Sequence, residues 1–294
     1  MNTGSKPRKT WRETLDQHAP LILPAAHDAL VARMIERAGF PAFQVGGFAM
    51  VAGMHAYPDI DLEHYGEKFD RIREIIDASS LPVLIDGDDG YGDAKNVART
   101  VRGFETIGAS AMFIEDQKAP KRCGHMAGKE VIPATQFEAK LKAALTARRS
   151  ADFFIIARTD AIEPNGLPDA IDRGKRYRDA GADAVYFEGP TAERELEKLA
   201  AGCTGVPLAT SILERGGKTP FLAPKRFAEM GYQMLLYPAT LIFQIARTME
   251  LALERLKAGK EMAKADSVDM DQFEEIVDIQ RWKALEERFP ESRG

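Results

Sequence analysis

The sequence predicts a (β/α)8 barrel, because short apolar runs of strand length alternate with longer stretches of helical periodicity. Eight such runs follow one another along the 294 residues. Near-continuous apolar strands separated by helices are typical of a parallel sheet covered on both faces. Eight units of roughly even spacing favour a closed barrel over an open, doubly wound sheet. The predicted strands are Leu21–Leu23, Ala42–Val45, Val83–Ile85, Ala111–Ile114, Phe153–Ile156, Ala184–Phe187, Val206–Ala209 and Met234–Tyr237.

The predicted helices fill the intervals between these strands and continue after the last one. Within 94–107, for example, Val97, Val101 and Phe104 recur at helical spacing. Glycines in short motifs such as Ile107-Gly108-Ala109 end several helices just before the next strand. The predicted helices are Asp28–Ala38, Asp61–Ala78, Ala94–Ile107, Thr135–Arg148, Leu167–Ala180, Ala192–Ala201, Pro224–Met230 and Leu241–Ala258.

We expect one barrel domain over residues 1–294, in which residues 260–294 form a C-terminal helical tail. No linker rich in Gly, Pro or Ser divides the chain. The glycine fingerprint of a dinucleotide-binding fold is missing after the first strand, where Pro24-Ala25-Ala26 stands. The tail contains a helix-like run over 272–289 but no strand for it to cover. It is therefore expected to pack on the barrel or on a partner subunit.

Composition and charge exclude several classes of function. Hydrophobic residues make up 45% and charged residues 29% of the chain, as in ordinary soluble proteins. The net charge of -5 argues against a nucleic-acid partner, which normally requires a clustered basic face. No apolar run approaches the ~20 residues of a membrane helix, and no secretory signal is evident. The two cysteines, Cys123 and Cys203, provide no disulfide framework, so we expect a cytoplasmic protein.

Acidic residues follow two neighbouring predicted strands. The carboxyl ends of barrel strands meet at one face, where barrel active sites form. Asp86 and Asp88 lie on a glycine-rich turn after the third strand, and Glu115 follows the fourth. Carboxylates suit Mg2+ or Mn2+, and Mg2+ keeps waters that a substrate can displace. The pattern predicts a metal site in which Glu115 holds those waters; the alternative is an acidic turn that caps the helix starting near Ala94.

The stretch Lys121-Arg122-Cys123-Gly124-His125 predicts a reactive cysteine just past the fourth strand. Adjacent cations would stabilise a thiolate. His125 is a candidate general acid/base or oxyanion partner, the alternative being a loop histidine held by backbone hydrogen bonds. Arg158, at the end of the fifth strand, is suited to a bidentate grip on a carboxylate; the alternative is a structural ion pair with Asp160 or Glu188. Together these residues predict a metal-assisted enzyme with an acid/base cysteine.

These motifs resemble the isocitrate lyase/phosphoenolpyruvate mutase superfamily over nearly the whole chain. The combination is highly specific, whereas the cysteine stretch alone is only suggestive. The most similar members are the 2-methylisocitrate and 2,3-dimethylmalate lyases, the petal-death-like oxaloacetate hydrolases and carboxyphosphonoenolpyruvate phosphonomutase. The resemblance implies a barrel homotetramer in which a C-terminal helix is exchanged between neighbouring subunits. The matching stretches are 82–92, Asn96–Val101, Ile114–Gln117, Lys121–His125 and Ile156–Ala161.

The resemblance also implies a role for each matching residue. Cys123 would protonate the carbanion left by bond cleavage, from a mobile loop that closes over the site. Mg2+ and Arg158 would stabilise the developing enolate charge. The residues implied are Asp86, Asp88 and Glu115 for Mg2+ or its waters; Cys123, Lys121, His125, Arg158 and Asp59 for catalysis; and Gly46, Gly47, Gly124, Arg158, Glu188 and Thr210 for substrate binding.

Three departures from the superfamily pattern bear on the substrate. Val45 stands where Ser or Thr usually precedes the paired glycines, so one hydroxyl contact is lost. The turn 210–217, after the seventh strand, lacks the usual Asn and carries an extra residue or two. That segment grips the distal carboxylate in the lyases. The run Asp86-Gly87-Asp88-Asp89 keeps both ligand carboxylates and adds one negative charge.

The sequence thus predicts a Mg2+-dependent carbon–carbon lyase with a small carboxylate as its substrate. It would cleave a methylisocitrate-like or dimethylmalate-like 2-hydroxy acid to a 2-oxo acid such as pyruvate and a second carboxylate. The enzymatic alternatives are an oxaloacetate hydrolase or decarboxylase and a carboxyphosphonoenolpyruvate phosphonomutase, which share the cysteine loop. The alternative outside enzymes is a barrel that binds a carboxylate without turnover, because Val45 and the altered turn touch the pocket.

Overall fold

The computed structural model describes residues 8–290 and contains eight parallel strands in one sheet. The strands are β1 (Leu21–Pro24), β2 (Phe43–Val45), β3 (Val83–Asp86), β4 (Ala111–Glu115), β5 (Phe154–Thr159), β6 (Ala184–Phe187), β7 (Leu208–Ser211) and β8 (Tyr232–Tyr237). Their order is β1-β8-β7-β6-β5-β4-β3-β2. The parallel bridge Ala25–Gln44 brings β2 beside β1, so the barrel is nearly closed. The predicted (β/α)8 barrel is confirmed.

The helices predicted between the strands are present, with ends that differ by a few residues from the predicted ones. The structure adds α1, α3 and α7, and it divides the predicted run 272–289 into two helices at Asp278, whose φ is +58°. The helices are α1 (Trp11–His18), α2 (Ala29–Arg37), α3 (Gly47–His55), α4 (Tyr65–Asp77), α5 (Ala94–Thr106), α6 (Ala134–Ala147), α7 (Ile162–Asn165), α8 (Leu167–Asp179), α9 (Glu193–Gly202), α10 (Pro224–Met230), α11 (Thr240–Lys257), α12 (Met270–Ile276) and α13 (Ile279–Arg288).

The barrel interior is filled by alternate residues of the strands. Leu21 and Leu23 of β1, for example, are fully buried in the same cluster as Phe154 of β5. Helix α1 adds Trp11 to this cluster, and a capping box between Thr10 and Glu13 fixes the start of that helix. The interior is therefore a packed core, and chemistry has room only at the ends of the strands.

Helices α4 and α5 pack through aromatic side chains beside the β3 end of the barrel. The rings of Tyr65 and Phe104 lie 5.4 Å apart, and Phe69 stacks nearby. The buried stripe of α4 also contains Lys68, between Tyr65 and Ile72. Close packing at Gly103 of α5 fixes this contact, because a Cβ there would lie 1.7 Å from the Tyr65 hydroxyl oxygen.

The chain divides into two compact units, residues 1–242 and 243–294. In the described part of the second unit, 243–290, the one buried large apolar side chain is Ile276. Large apolar side chains that are exposed there include Met249, Leu253, Met270 and Trp282. The predicted single domain with a tail from residue 260 stays a prediction. Within residues 8–290, no helix has both the length and the apolar character that crossing a bilayer requires.

Replacing Gly103 by Ala should destabilise the protein, because the added methyl group overpacks against Tyr65. We expect the free energy of unfolding, measured by urea denaturation, to fall by about 1–3 kcal/mol. Gly66→Ala is the matched control, since a Cβ on Gly66 of α4 meets no atom within 4 Å. That variant should equal or exceed the wild type. Equal stability of the two variants would contradict the packing described for α4 and α5.

Candidate active site

The carboxyl ends of five neighbouring strands bring the predicted polar residues together. Glu115 of β4 is in register with Arg158 of β5, and an Arg158 Nη1 atom lies 3.2 Å from Glu115 Oε2. Glu188 follows β6 directly, and Ser211 ends β7. All four side chains are buried. Together with Asp86 at the end of β3, they form a charged cluster at the face of the barrel where active sites occur.

The turn after β3 holds its two aspartates in a fixed geometry. Asp86 Oδ2 accepts a hydrogen bond from the Gly47 amide at 2.9 Å, and Asp86 Oδ1 accepts one from the Asp88 amide at 3.0 Å. Gly87 is required here, because a Cβ on it would lie 2.7 Å from the Phe113 carbonyl oxygen. The cap of α5 is Asp93, so capping the helix does not account for Asp86 and Asp88.

Two lysines converge on Asp88. The Lys121 Nζ atom lies 2.7 Å from Asp88 Oδ1 and 2.6 Å from Asp59 Oδ1, and Lys68 Nζ bonds Asp88 Oδ2. Burial opposes ionisation of Asp88, but the charges of Lys121 and Lys68 lower its pKa below the usual value. Burial, and then the charge of Asp88, raise the pKa of Asp86. Asp88 is therefore the firmly ionised member of the pair.

The donor set suits a hard divalent cation. Glu115 Oε1 is a buried oxygen without a hydrogen-bond partner among the described residues, and burial raises the pKa of this carboxyl well above its usual value. No group of three or more His, Cys, Asp or Glu side chains in 8–290 is arranged to hold a metal ion. Mg2+, however, typically takes one or two carboxylates and keeps several waters. The predicted carboxylates of Asp86, Asp88 and Glu115 therefore fit Mg2+.

Cys123 carries a neutral thiol at physiological pH. Burial raises its pKa to about 11, and the nearby charge of Asp59 acts in the same direction. The expectation that adjacent cations stabilise a thiolate is therefore wrong. The Lys121 side chain pairs with Asp59 and Asp88, and the Arg122 side chain is exposed. A half-buried, protonated thiol is suited to donating a proton rather than to nucleophilic attack.

His125 is held as a neutral ring. Its Nδ1 atom accepts a hydrogen bond from the Lys218 amide at 3.2 Å, which leaves the proton on Nε2. The Nε2 atom lies 3.1 Å from Ser211 Oγ and 3.4 Å from Glu188 Oε1. Burial lowers the pKa of His125 despite the charge of Glu188. The ring is thus positioned to donate a hydrogen bond into the site.

The cysteine loop, which we define as residues Lys121–His125, packs against the charged cluster. A Cβ on Gly124 would lie 2.5 Å from both Arg158 Nη2 and Glu188 Cγ, so only glycine permits this approach. Lys129 Nζ donates to the Gly124 carbonyl at 2.6 Å and to Asp160 Oδ1 at 2.9 Å. The Cys123 amide donates to the Asp59 carbonyl at 3.1 Å. These contacts hold Cys123, Gly124 and His125 over the strand ends.

Arg158 already has carboxylate partners within the protein. Its Nε and Nη2 atoms donate to the two oxygens of Asp160 at 2.9 and 3.0 Å. Although burial opposes its charge, the surrounding carboxylates raise the pKa of Arg158 well above its usual value. The structural ion pair named as the alternative is thus present. An Nη2 atom remains 3.8 Å from Glu188 Oε2, on the side of the cysteine loop.

The residues predicted to bind substrate do not all face this cluster. Gly46 caps α3, and the Gly47 amide is engaged by Asp86. The Thr210 hydroxyl donates to the Phe187 carbonyl at 3.2 Å and is fully buried. Its neighbour Ser211 instead donates to Glu188 Oε1 at 2.8 Å. Ser211 therefore occupies the position at the β7 end that faces the site.

Sequence reasoning missed Lys68, Tyr186 and Lys129, and it did not select Ser211. In the sequence Tyr186 is only a residue of the sixth predicted strand, although its hydroxyl bonds Glu188. Lys68 lies within the predicted helix Asp61–Ala78. Its signal was available, because Lys68 lies in the buried stripe between Tyr65 and Ile72. Lys129 and Ser211 carry no comparable pattern, since their roles depend on contacts far along the chain.

Comparison with known proteins agrees with the barrel fold. The sequence model of the family described as phosphoenolpyruvate phosphomutase matches residues 12–258. The 2,3-dimethylmalate lyase of Eubacterium barkeri is 34% identical over 295 residues that cover 100% of both chains. Oxaloacetate acetylhydrolase in complex with 3,3-difluorooxalacetate superposes with a TM-score of 0.89 at 27% identity, covering 95% of each chain. Phosphonopyruvate hydrolase in complex with oxalate and Mg2+ gives a TM-score of 0.83 at 28% identity, covering 95% of this chain and 97% of that one.

The match to the family model extends over most of the chain, and it includes every strand end described above. The relative from Eubacterium barkeri matches along the full length of both proteins. The chain therefore belongs to the phosphoenolpyruvate phosphomutase family, within the isocitrate lyase/phosphoenolpyruvate mutase superfamily that its sequence motifs predict.

Proposed function

We propose that this protein is a Mg2+-dependent carbon–carbon lyase that cleaves a 2-hydroxy di- or tricarboxylate to a 2-oxo acid and a second carboxylate. The observation that carries the proposal is the half-buried, protonated Cys123, in a loop whose Gly124 packs against Arg158 and Glu188 and whose Lys121 pairs with Asp88. A lyase of this kind needs an acid for the carbanion it releases, and a neutral thiol supplies one. The name of the relative 2,3-dimethylmalate lyase supports the same reaction class.

Different side chains act on the two fragments of the substrate. As the carbon–carbon bond breaks, the hydroxyl carbon becomes a carbonyl and its O–H proton passes to the carboxylate of Asp59, which lies beside Lys121. The bond electrons remain on the second fragment as a carbanion. Cys123 Sγ then donates its proton to that carbon and becomes a thiolate. Closure of the loop excludes water, which would otherwise compete for the carbanion.

A divalent cation would be held by Asp86 and Asp88, with Glu115 near its waters. When bound, Mg2+ supplies Lewis-acid stabilisation of the charge that develops on the oxo-acid oxygens. Arg158 contributes to the same end, because a guanidinium beside the site favours developing negative charge. Mn2+ is the expected substitute, since both ions prefer carboxylate and water ligands. The complex of phosphonopyruvate hydrolase with oxalate and Mg2+ supports this cofactor.

The distal part of the substrate would meet His125, Ser211 and Glu188. The hydroxyl of Ser211 lies within hydrogen-bond distance of both other side chains. This short side chain, with the neutral His125, forms the end of the site away from the aspartates. The predicted roles of Gly46, Gly47, Gly124 and Thr210 in substrate binding remain part of this proposal.

Hydrolysis of oxaloacetate is the second candidate function. The superposition on oxaloacetate acetylhydrolase, with its bound oxaloacetate analogue, favours it. The same cation site and cysteine would serve both reactions, because each passes through an enolate-like anion next to a carboxylate. Testing the lyase therefore requires oxaloacetate in the substrate panel.

The first prediction concerns release of 2-oxo acid, followed with a coupled dehydrogenase. Wild-type protein with Mg2+ should release product from methylisocitrate or dimethylmalate, and chelation by EDTA should abolish release. Cys123→Ser should lose at least about a hundredfold in kcat, in line with removal of a general acid. Product from oxaloacetate alone would replace the lyase by the hydrolase. Wild-type turnover by Cys123→Ser would exclude the cysteine as the acid.

The second prediction follows from the raised pKa of Cys123. Because the thiol form persists to about pH 11, alkylation by iodoacetamide should be slow at pH 7–8 and should accelerate only as pH approaches that value. The experiment uses Cys203→Ala protein, in which Cys123 is the single thiol. Free glutathione, alkylated in parallel, is the reference for an ordinary thiol. Rapid alkylation at pH 7 would mean that Cys123 is a thiolate and not the proposed acid.

The third prediction concerns assembly. The apolar side chains exposed on 243–290 support the proposed homotetramer, because such surface is normally covered by a partner. Light scattering should give the mass of four chains of 32.5 kDa. Leu253→Asp, on this exposed surface, should reduce the measured mass. Phe221→Asp, at an equally exposed side chain of the first unit, should leave the mass unchanged. A wild-type mass of one chain would contradict the tetramer.

A further inference from the structure

Lys68 occupies an unusual place for a helical lysine. It lies on the barrel-facing stripe of α4, its side chain is 4% exposed, and its Nζ atom bonds Asp88 Oδ2. A Cβ built on Gly47 would lie 3.5 Å from this Nζ atom and 3.2 Å from Asp86 Oδ2. The ammonium group therefore lies among Asp88, Asp86 and the start of α3. This is the place where the proposed function requires a divalent cation.

A metal ion and this ammonium group compete for the same oxygens. Lys121 already neutralises part of the charge on Asp88, at 2.7 Å from Oδ1. With Lys68 on Oδ2, both oxygens of Asp88 are engaged by cations. Like charges a few ångströms apart in a buried site repel strongly. A divalent ion can use Asp88 fully only after Lys68 has left it.

A second acceptor for Lys68 lies five residues before it in sequence, just before the cap residue of the same helix. Glu63 is 3% exposed, and its Oε2 atom has no hydrogen-bond partner among the described residues. Its other oxygen lies 2.9 Å from His55 Nε2. Burial raises the pKa of Glu63, and the positive charge of Lys68 acts against this increase. A buried carboxylate oxygen without a partner is costly and would gain from an ammonium donor.

We propose that Lys68 is a built-in cation that neutralises Asp88 in the metal-free enzyme and moves to Glu63 when a divalent metal binds. The inference rests on the proposed function and adds a residue that sets its metal affinity. The metal-free site is stabilised by the lysine, and the metal binds more weakly than it would to the same carboxylates without Lys68. Both residues belong to the start of α4, where Glu63 precedes the cap residue His64 and Lys68 lies on the buried stripe.

Metal binding by the Lys68→Met variant tests the first half of the proposal. The readout is the dissociation constant for Mn2+ alone, followed by electron paramagnetic resonance without substrate. Lys68→Met should bind Mn2+ roughly tenfold more tightly than wild type, as expected for removal of one nearby like charge. In EDTA its melting temperature should be lower than that of wild type, and Mn2+ should raise it by more.

Lys140→Met is the matched control. Lys140 of α6 is also a buried lysine, but its Nζ atom pairs with Asp89 Oδ2 at 3.1 Å rather than with Asp88. Its removal should change the Mn2+ constant by less than about twofold, because the charge is farther from the carboxylates. Equal tightening by the two variants would overturn the proposal in favour of a general effect of net charge.

Glu63→Gln tests the second half of the proposal. In wild-type protein it removes the acceptor for the displaced lysine, so the Mn2+ affinity should fall several-fold. In Lys68→Met protein there is no ammonium group to accept, and the same change should have much less effect. Equal effects in the two backgrounds would show that Glu63 acts independently of Lys68 and would overturn the exchange.

Crystal structures of the wild-type protein with and without Mn2+ give a test that needs no variant. Lys68 Nζ should contact Asp88 without metal and Glu63 with metal; contact with Asp88 in both states would overturn the proposal. Asp88→Asn separates this failure from that of the proposed function. If Asp88→Asn loses Mn2+ binding while Lys68→Met binds as wild type does, the metal site stands and the role of Lys68 fails. If wild type binds no Mn2+, both fail.

Discussion

The ion pairs of Lys121 with Asp59 and Asp88 are the interaction on which the rest of the site depends. One buried ammonium group joins the segment after α3, the turn after β3 and the start of the cysteine loop. Each carboxylate would be costly to bury alone, and so would the lysine, but together they satisfy one another. Because Lys121 is two residues from Cys123, this contact also fixes where the thiol lies relative to the aspartates.

Burial decides the protonation states of the titratable groups at the site. The same exclusion of water raises the pKa of Cys123, lowers that of His125 and raises that of Glu115. The result is a neutral thiol, a neutral imidazole and a carboxylate that favours a bound proton or cation. None of these states follows from sequence neighbours, since the Lys121 side chain bonds Asp59 and the Arg122 side chain is exposed. Local sequence therefore predicted the wrong charge for Cys123.

The end of the site formed by His125, Glu188 and Ser211 departs more from expectation than the end formed by Asp86 and Asp88. The Thr210 hydroxyl bonds the backbone carbonyl of Phe187. The Ser211 hydroxyl instead lies within hydrogen-bond distance of His125 and Glu188, and Glu188 in turn accepts a hydrogen bond from Tyr186. Alternation along a strand explains the change, because adjacent residues point to opposite sides and a shift of one residue exchanges them. The extra residues in turn 210–217 made that register hard to infer. This end of the site is where the substrate side chain would be selected.

The sequence by itself determined the barrel and the membership of Asp86, Asp88, Glu115, Cys123 and Arg158 in one site. Apolar periodicity marks the strands, and parallel strands place their carboxyl ends on one face, so residues that follow them must meet there. The tertiary structure alone decided which charges are compensated and which protons are held. Lys68 reaches Asp88 from a neighbouring helix, and the loop reaches Arg158 only through Gly124. Such contacts join distant parts of the chain, and their strength depends on burial, which exists only in the packed fold.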